Sequence, residues 1–256
     1  VTVVAAFPHY PHGKIPQEYR WKPIIVEWMG KFKVIRTLMP PVKSEGILKR
    51  LFLIGFFAVS ALFALPFVGK VDAVWSSSWV PGFVYGRVKR KPVALNVDDL
   101  TLEDLVDLNL IAEDSLILRV AQWVYRLFSV KGDVLTPISP GYVETLAKKY
   151  WVKENRIHVV RGGVDLSIFK PCVSKPRSRK KFVVLYSGAF SVAYDFEQVF
   201  RAAKVVEELD SDVEFVVQGE GELLDSMRSK VDALDVRSVR IVDRLLSRED
   251  VAELLC

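Results

Sequence analysis

Short, continuous apolar runs, separated by stretches with helical spacing, limit what this chain can fold into more than any other feature. Residues 71–75, 93–97 and 134–138 are such runs. They alternate too little with polar residues to be half-exposed strands, and so suit a sheet covered on both faces. Residues 116–128 and 142–150 repeat apolar side chains at helical spacing. Strands alternating with helices predict an α/β chain with a parallel, doubly wound sheet. Residues 1–7 read as the first strand, ended by the turn formers of residues 8–13. The mixed segment 17–30 then reads as the continuation of a strand–loop–helix unit, with 33–38 a second strand. Residues 1–7 and 134–138 are expected in one sheet.

From about Asp165 the texture changes. Residues 171–181 hold two prolines and five Lys or Arg with little apolar content, as an exposed connection between lobes would. A second series follows: strand 182–186, helix 196–209, strand 213–217, helix 222–234 and strand 239–242. A last helix opens at Ser247, where Ser247 and Asp250 have capping-box spacing. The expected domains are therefore 1–165, a linker at 166–181, and 182–256. Three strand–helix units are few for a Rossmann-like sheet covered on both faces, so the second lobe reads as incomplete, and both ends read as cut from something longer.

With half its residues hydrophobic and a formal charge of +5, the chain has enough apolar surface to exclude disorder over most of its length. Its cations gather at Lys43, Lys49 and Arg50, at 87–91 and at 175–181. Such clusters fit an anionic membrane face, an anionic ligand or plain solubility. No aromatics interleave them, which disfavours nucleic acid as a partner. Cys172 and Cys256 have neither metal-ligand nor disulfide-framework spacing, and no secretory signal is visible, so a reducing, cytoplasmic compartment is expected. His9 and His12 lack a third ligand for zinc. Residues 51–69 form the most hydrophobic stretch. It admits a bilayer span, an internal helix, or a helix packed on the sheet while touching a membrane surface, and the basic flanks favour the last.

Three stretches carry a resemblance. The first is residues 157–165, ending Gly162-Gly163-Val164-Asp165, then Phe169 and Pro171; paired glycines permit a sharp turn and close approach. The second places Gly188 after one strand and Gly219-Glu220-Gly221 after the next, where glycine at a strand-to-helix turn makes room for a nucleotide. The third is Asn96-Val97-Asp98-Asp99-Leu100 with Glu103. Together they resemble glycosyltransferase family 4, in particular members that build surface polysaccharides. The resemblance runs along essentially the whole chain and is strongest from 137 to 242.

That resemblance implies a GT-B fold of two facing Rossmann-like domains, with the second cut short here. It implies sugar transfer from a nucleotide-sugar donor to a lipid-linked or polysaccharide acceptor, with retention and no obligatory metal or other cofactor. Asp99, at the end of a strand, would orient an acceptor hydroxyl or sugar as the catalytic carboxylate; its plain alternative is an N-cap. Gly13 and Lys14 match the first loop, beside acceptor and donor phosphates. Gly188, Gly219 and Arg244 match donor-binding positions. The expected setting is the cytoplasm, with peripheral attachment to the inner membrane face.

The departures are specific. Asn96 stands where histidine is usual and Leu102 where proline is usual. The loop 189–195 carries no cation, although the family places an arginine and a lysine there to neutralise the leaving diphosphate. The family's pair of glutamates lies beyond residue 256. Two other readings stay open: a nucleotide-sugar epimerase of related architecture, and a catalytically inert, membrane-associated binding protein. A nicotinamide dehydrogenase is disfavoured, because no Gly-x-Gly-x-x-Gly follows the first strand.

Overall fold

The structure, a computed structural model, describes residues 1–8, 14–20, 22–42, 47–129, 131–171, 182–209 and 212–255. The chain divides into two compact units, Val1–Gly162 and Gly163–Cys256, each with cores of its own.

In the first unit, strands β1 (Thr2–Ala6), β2 (Ile24–Met29) and β3 (Phe32–Thr37) form a sheet of order β1-β3-β2. β1 runs parallel to β3 and β2 antiparallel to it. The expected helical continuation through 17–30 is thus corrected to a 3-10 turn, Gln17–Tyr19, followed by a strand. Ile24, Ile25, Val26 and Trp28 are β-formers, and Gly30 (φ 60) begins a two-residue turn that closes a hairpin, with Met29 opposite Phe32. A diagonal ion pair between Glu27 and Arg36 adds to the same sheet.

Helix α1 (Ile47–Leu62) and a 3-10 turn at Leu65–Phe67 lead to strand β4 (Val74–Ser76). Then come α2 (Trp79–Lys89), β5 (Val93–Val97), α3 (Thr101–Asp107), α4 (Leu116–Ser129), β6 (Val134–Pro137) and α5 (Tyr142–Lys148). β4, β5 and β6 pair in parallel in that order. The expectation that residues 1–7 and 134–138 share one sheet is corrected: their strands belong to two three-stranded sheets. β4 is only three residues long, and its ladder partner is β5. The two sheets nonetheless share a core. Val4, Ile24 and Ile35 from the first pack with Ala64, Val68, Val71, Val74 and Tyr85.

Helix α2 has no clear sequence signal, since it contains a proline and two glycines. Pro81 sits in its first turn, where no intrahelical N–H bond is lost. A β-carbon on Gly86 would come within 2.0 Å of Val93 Cγ2, so this glycine lets the helix lie directly on β5. Helix α1 turns Leu53, Ser60 and Ala61 inward and leaves Phe52, Ile54 and Val59 exposed. Ser60 Oγ pairs with the buried Thr37 Oγ1 at 3.2 Å, tying α1 to β3. Among the described residues no helix is long and apolar enough to cross a membrane.

In the second unit, β7 (Phe182–Ser187), α6 (Phe196–Leu209), β8 (Val213–Gly219), α7 (Leu224–Ala233), β9 (Val239–Asp243) and α8 (Arg248–Leu254) alternate strictly. The sheet is parallel, of order β7-β8-β9. Phe190, Phe196, Phe200, Val217 and Met227 fill its core. Ser247 Oγ accepts from Asp250 N at 3.0 Å, and the Asp250 carboxylate accepts from Ser247 N, completing the capping box read from the sequence.

Candidate functional site

Each unit gathers polar residues where its parallel strands end. In the first unit the organiser is Asn96 on β5, which is 7% exposed. Its Nδ2 donates to Asp98 Oδ1 at 2.6 Å, and its Oδ1 accepts from Thr136 Oγ1 on β6 at 3.0 Å. Trp79 Nε1 donates to its carbonyl at 3.2 Å. The residue that departs from the family pattern therefore brackets the ends of two strands, and Asp98 is held by it.

Asp99 is exposed and hydrogen-bonds no described residue. Helix α3 takes Leu100 as its N-cap, with no side-chain capping bond, so Asp99 is not used as a cap. Its charge is felt nearby. Burial, and then the charge of Asp99, push the Asp104 carboxyl above the ordinary range. The same two causes, in the same order, raise the Tyr142 phenol.

Glu103, by contrast, is committed. Both of its oxygens accept from Tyr150 Oη at 3.0 Å, and Lys149 Nζ lies 3.5 Å away. Tyr150 is 2% exposed, and burial followed by the Glu103 charge raises its phenol. Asp99, Glu103, Trp79, Tyr125 and Tyr150 border a cavity of about 10 Å³, room for roughly one water and no sugar.

Gly13, His9 and His12 lie outside the described residues. Lys14 is exposed and bonds no described residue, next to Ile15, which is buried with Phe7. Residues 157–160 run beside β6, with His158 N bonded to Leu135 O and Val160 N to Pro137 O, both at 2.9 Å. The reading of Gly162 and Gly163 as sharp-turn, close-approach glycines is corrected. Neither has a left-handed backbone, and a β-carbon on either would meet nothing within 4 Å. The boundary between the units falls between them.

In the second unit, Gly188, Gly219 and Arg244 come together at the carboxyl ends of β7, β8 and β9. The loops carrying the two glycines are zipped by main-chain bonds: Gly188 N to Gln218 O at 3.0 Å, and Phe190 N to Glu220 O at 2.9 Å. Gly219 has φ 149. Side chains then brace all three strand ends. Gln218, 3% exposed, accepts from Ser187 Oγ at 2.6 Å and donates Nε2 to the Arg244 carbonyl at 2.5 Å. Glu220 Oε1 accepts from Leu245 N at 2.9 Å. The Arg244 backbone is thus fixed, while its exposed guanidinium bonds no described residue. Sequence reasoning missed Gln218. A polar residue directly before a Gly-x-Gly, inside a run of buried valines, is the signal that points to it.

The start of α6 carries a negative charge. Asp195 Oδ1 accepts from Gln198 N at 3.2 Å, so one of the helix's first amides is already served by the carboxylate just before it. Among the described residues no three His, Cys, Asp or Glu side chains gather as a metal site.

No protein-family profile and no curated protein sequence matches the chain. Solved structures do. HepE (Alr3699) of Anabaena, in complex with UDP and glucose, superposes with a TM-score of 0.55 at 15% identity, covering 86% of this chain and 58% of HepE. A variant of S. aureus TarM, in complex with fondaparinux, alpha-GlcNAc-glycerol and UDP, matches at TM-score 0.55 and 11% identity, over 74% of this chain and 37% of TarM. A glycosyltransferase from Rickettsia africae matches at TM-score 0.51 and 13% identity, over 86% of this chain and 57% of that protein. The chain therefore spans little more than half the length of HepE and of the Rickettsia protein. At these identities the likeness speaks for the fold, which is GT-B-like, α/β with two Rossmann-like halves.

Proposed function

We propose that this protein is a glycosyltransferase of the family 4 kind, moving a sugar from a nucleotide-sugar to a saccharide or lipid-linked acceptor with retention of configuration. The observation that carries the reading is the second unit's strand-end site, where a braced backbone presents one unpaired guanidinium, Arg244, beside Gly188 and Gly219. Transfer from a nucleotide-sugar requires stabilisation of a departing diphosphate. With no cation in the loop 189–195, Arg244 supplies that charge, and the Gly188–Gly219 turns leave room for the nucleotide. UDP, present in the HepE and TarM complexes, is the first nucleotide to test.

In the first unit, Asp99 is the acceptor-side carboxylate, and Gly13 with Lys14 forms a phosphate-facing loop. Asp99 makes no hydrogen bond among the described residues, whereas Glu103 and Asp98 are both engaged. No metal or other cofactor is required in this reading, because Arg244 supplies the positive charge for the diphosphate. The reaction takes place in the cytoplasm at the inner membrane face.

A second reading has one observation in its favour: Asp195 places a carboxylate at the start of α6, where a phosphate would otherwise gain from the dipole. That suits the catalytically inert, membrane-associated binding protein. Release of nucleotide diphosphate from a panel of nucleotide-sugars, with saccharide and lipid-linked acceptors, separates the two. Transfer that drops by about a hundredfold in Asp99→Asn supports the enzyme, on the scale of a positioned acid–base group. Nucleotide binding without turnover of any donor supports the inert protein.

A further inference from the structure

Helix α4 is apolar over more than half of its circumference, from a buried row to an exposed one. Leu118, Ala121, Tyr125 and Phe128 recur at helical spacing toward the unit's interior. Leu118 is 1% exposed, and Tyr125 packs on Trp79 at 4.7 Å between ring centroids. On the other side Leu116, Val120, Trp123 and Leu127, spaced by four, three and four residues, are exposed at 74, 53, 62 and 37%. A helix face of this kind ordinarily has a partner. Between Leu116 and Ser129 there is no acidic residue, and Arg119 and Arg126 flank the exposed row. Arg126 also lies 4.6 Å over the ring of Trp151. Trp151 is 65% exposed and is held at φ 57, a backbone conformation that bulky residues rarely adopt.

The row leads toward a basic hollow. Four residues beyond Leu127, Lys131 joins Arg87, Arg90 and Lys91 around an open cavity of about 430 Å³, in which Asp133 is the only lining carboxylate. Asp133 is occupied, accepting from Val93 N at 2.7 Å. The four cations form no ion pair among the described residues. Arg87 and Lys131 lie 5.4 and 5.2 Å from the Phe83 ring centre, and Phe83 packs edge-on against Phe128 of α4. The cations are not spent on capping α2, because the backbone amides of Arg90 and Lys91 already reach its last carbonyls. Arg90 itself stands at a left-handed C-cap, φ 53, where glycine is usual.

We propose that this face docks on an anionic lipid bilayer, the exposed row of α4 entering the interfacial layer and the Arg87–Lys131 hollow receiving lipid phosphates. Charge selects this occupant. A second copy meeting the same face would bring unpaired cations against their own equivalents, whereas an anionic surface neutralises them, and tryptophan beside arginine is the side-chain chemistry of a membrane interface.

The test is co-sedimentation of the protein with vesicles of phosphatidylcholine alone and of phosphatidylcholine mixed with phosphatidylglycerol. Two double variants accompany it, Val120→Glu with Trp123→Glu and Arg87→Glu with Lys131→Glu, with circular dichroism and thermal melting measured on every preparation to confirm folding. Expected are binding to the anionic vesicles only, weakening with salt, and a loss of at least about tenfold in each double variant. Equal binding to neutral vesicles overturns the proposal. So does binding that survives both double variants but disappears in Phe52→Ser, on the exposed side of α1. Stabilisation by inorganic phosphate without vesicle binding overturns it in favour of a soluble anion, and a dimer that Val120→Glu with Trp123→Glu dissociates overturns it in favour of a subunit contact.

Discussion

The carbonyl oxygen of Gly188 lies 1.8 Å from where a β-carbon on Gly219 would stand. Two strand-end loops are thus pressed backbone to backbone. Gly219→Ala forces them apart and also meets an unfavourable φ of 149. The expected loss is about 2–4 kcal/mol, in the range of severe backbone substitutions. Gly162→Ala is the matched control, with open space around it and an ordinary backbone; it should stay within about 0.5 kcal/mol of the parent. Chemical denaturation of both variants checks the contrast.

Gln218 joins Ser187 on β7 to the Arg244 carbonyl after β9. Gln218→Leu keeps the volume and removes both bonds, leaving the Ser187 hydroxyl and the Arg244 carbonyl without them. A loss of about 1–3 kcal/mol follows from the cost of unsatisfied polar groups. Nucleotide affinity should fall with it, because the backbone that presents Arg244 is no longer fixed. Thermal melting with and without UDP reads both effects.

Tyr150 and Glu103 make a second buried brace, around the first unit's site. Tyr150→Phe should cost about 1.5–3 kcal/mol, the range for hydrogen bonds to charged groups. It should leave Km for the donor unchanged, since Glu103 is committed to packing. A donor Km that rises in Tyr150→Phe, at unchanged stability, would instead place Glu103 in donor binding.

Glu197 on α6 has its carboxyl lowered to about 2, first by its bond to Lys230 of α7 and next by Arg201. A depressed carboxylate stabilises the native state above its unfolded value, and that contribution disappears as pH falls from about 4.5 through about 2. Glu197→Gln should flatten this part of the acid-unfolding curve. The side chain is 36% exposed and its partners more so, so solvent screens the pair; the effect should be small and should shrink further in high salt. Acid titrations at two ionic strengths measure it.

The second unit was legible almost element by element, because each apolar run there is followed by a clean helical repeat. β9 and α6 fall where spacing places them, and the Ser247–Asp250 box is realised as read. The first unit was harder. Ile24 to Met29 lies in a mixed segment that looked helical, yet its β-branched residues pair with β3 once Gly30 reverses the chain. Helix α2 was invisible, since Gly86 weakens local propensity and only the tertiary contact with Val93 explains it. Gly188, Gly219 and Arg244 were singled out by motif order, and the structure brings the three together at the strand ends. The side chains that hold them, Gln218 and Glu220, act across strands, and cross-strand partners leave little trace in a single sequence. Asn96 was noticed only as a departure, while its role in joining β5 to β6 depends on Thr136, forty residues away.

The central claim is that a nucleotide diphosphate binds at the strand ends of the second unit with Arg244 facing its phosphates. Isothermal titration of the protein with UDP, GDP and ADP, repeated on Arg244→Ala, tests it most directly. The account predicts saturable binding of one of the three and at least a tenfold weaker constant in the variant, as expected when a charge-assisted hydrogen bond of about 1.5–3 kcal/mol is lost. No binding of any nucleotide diphosphate, or equal affinity in parent and Arg244→Ala, would contradict it.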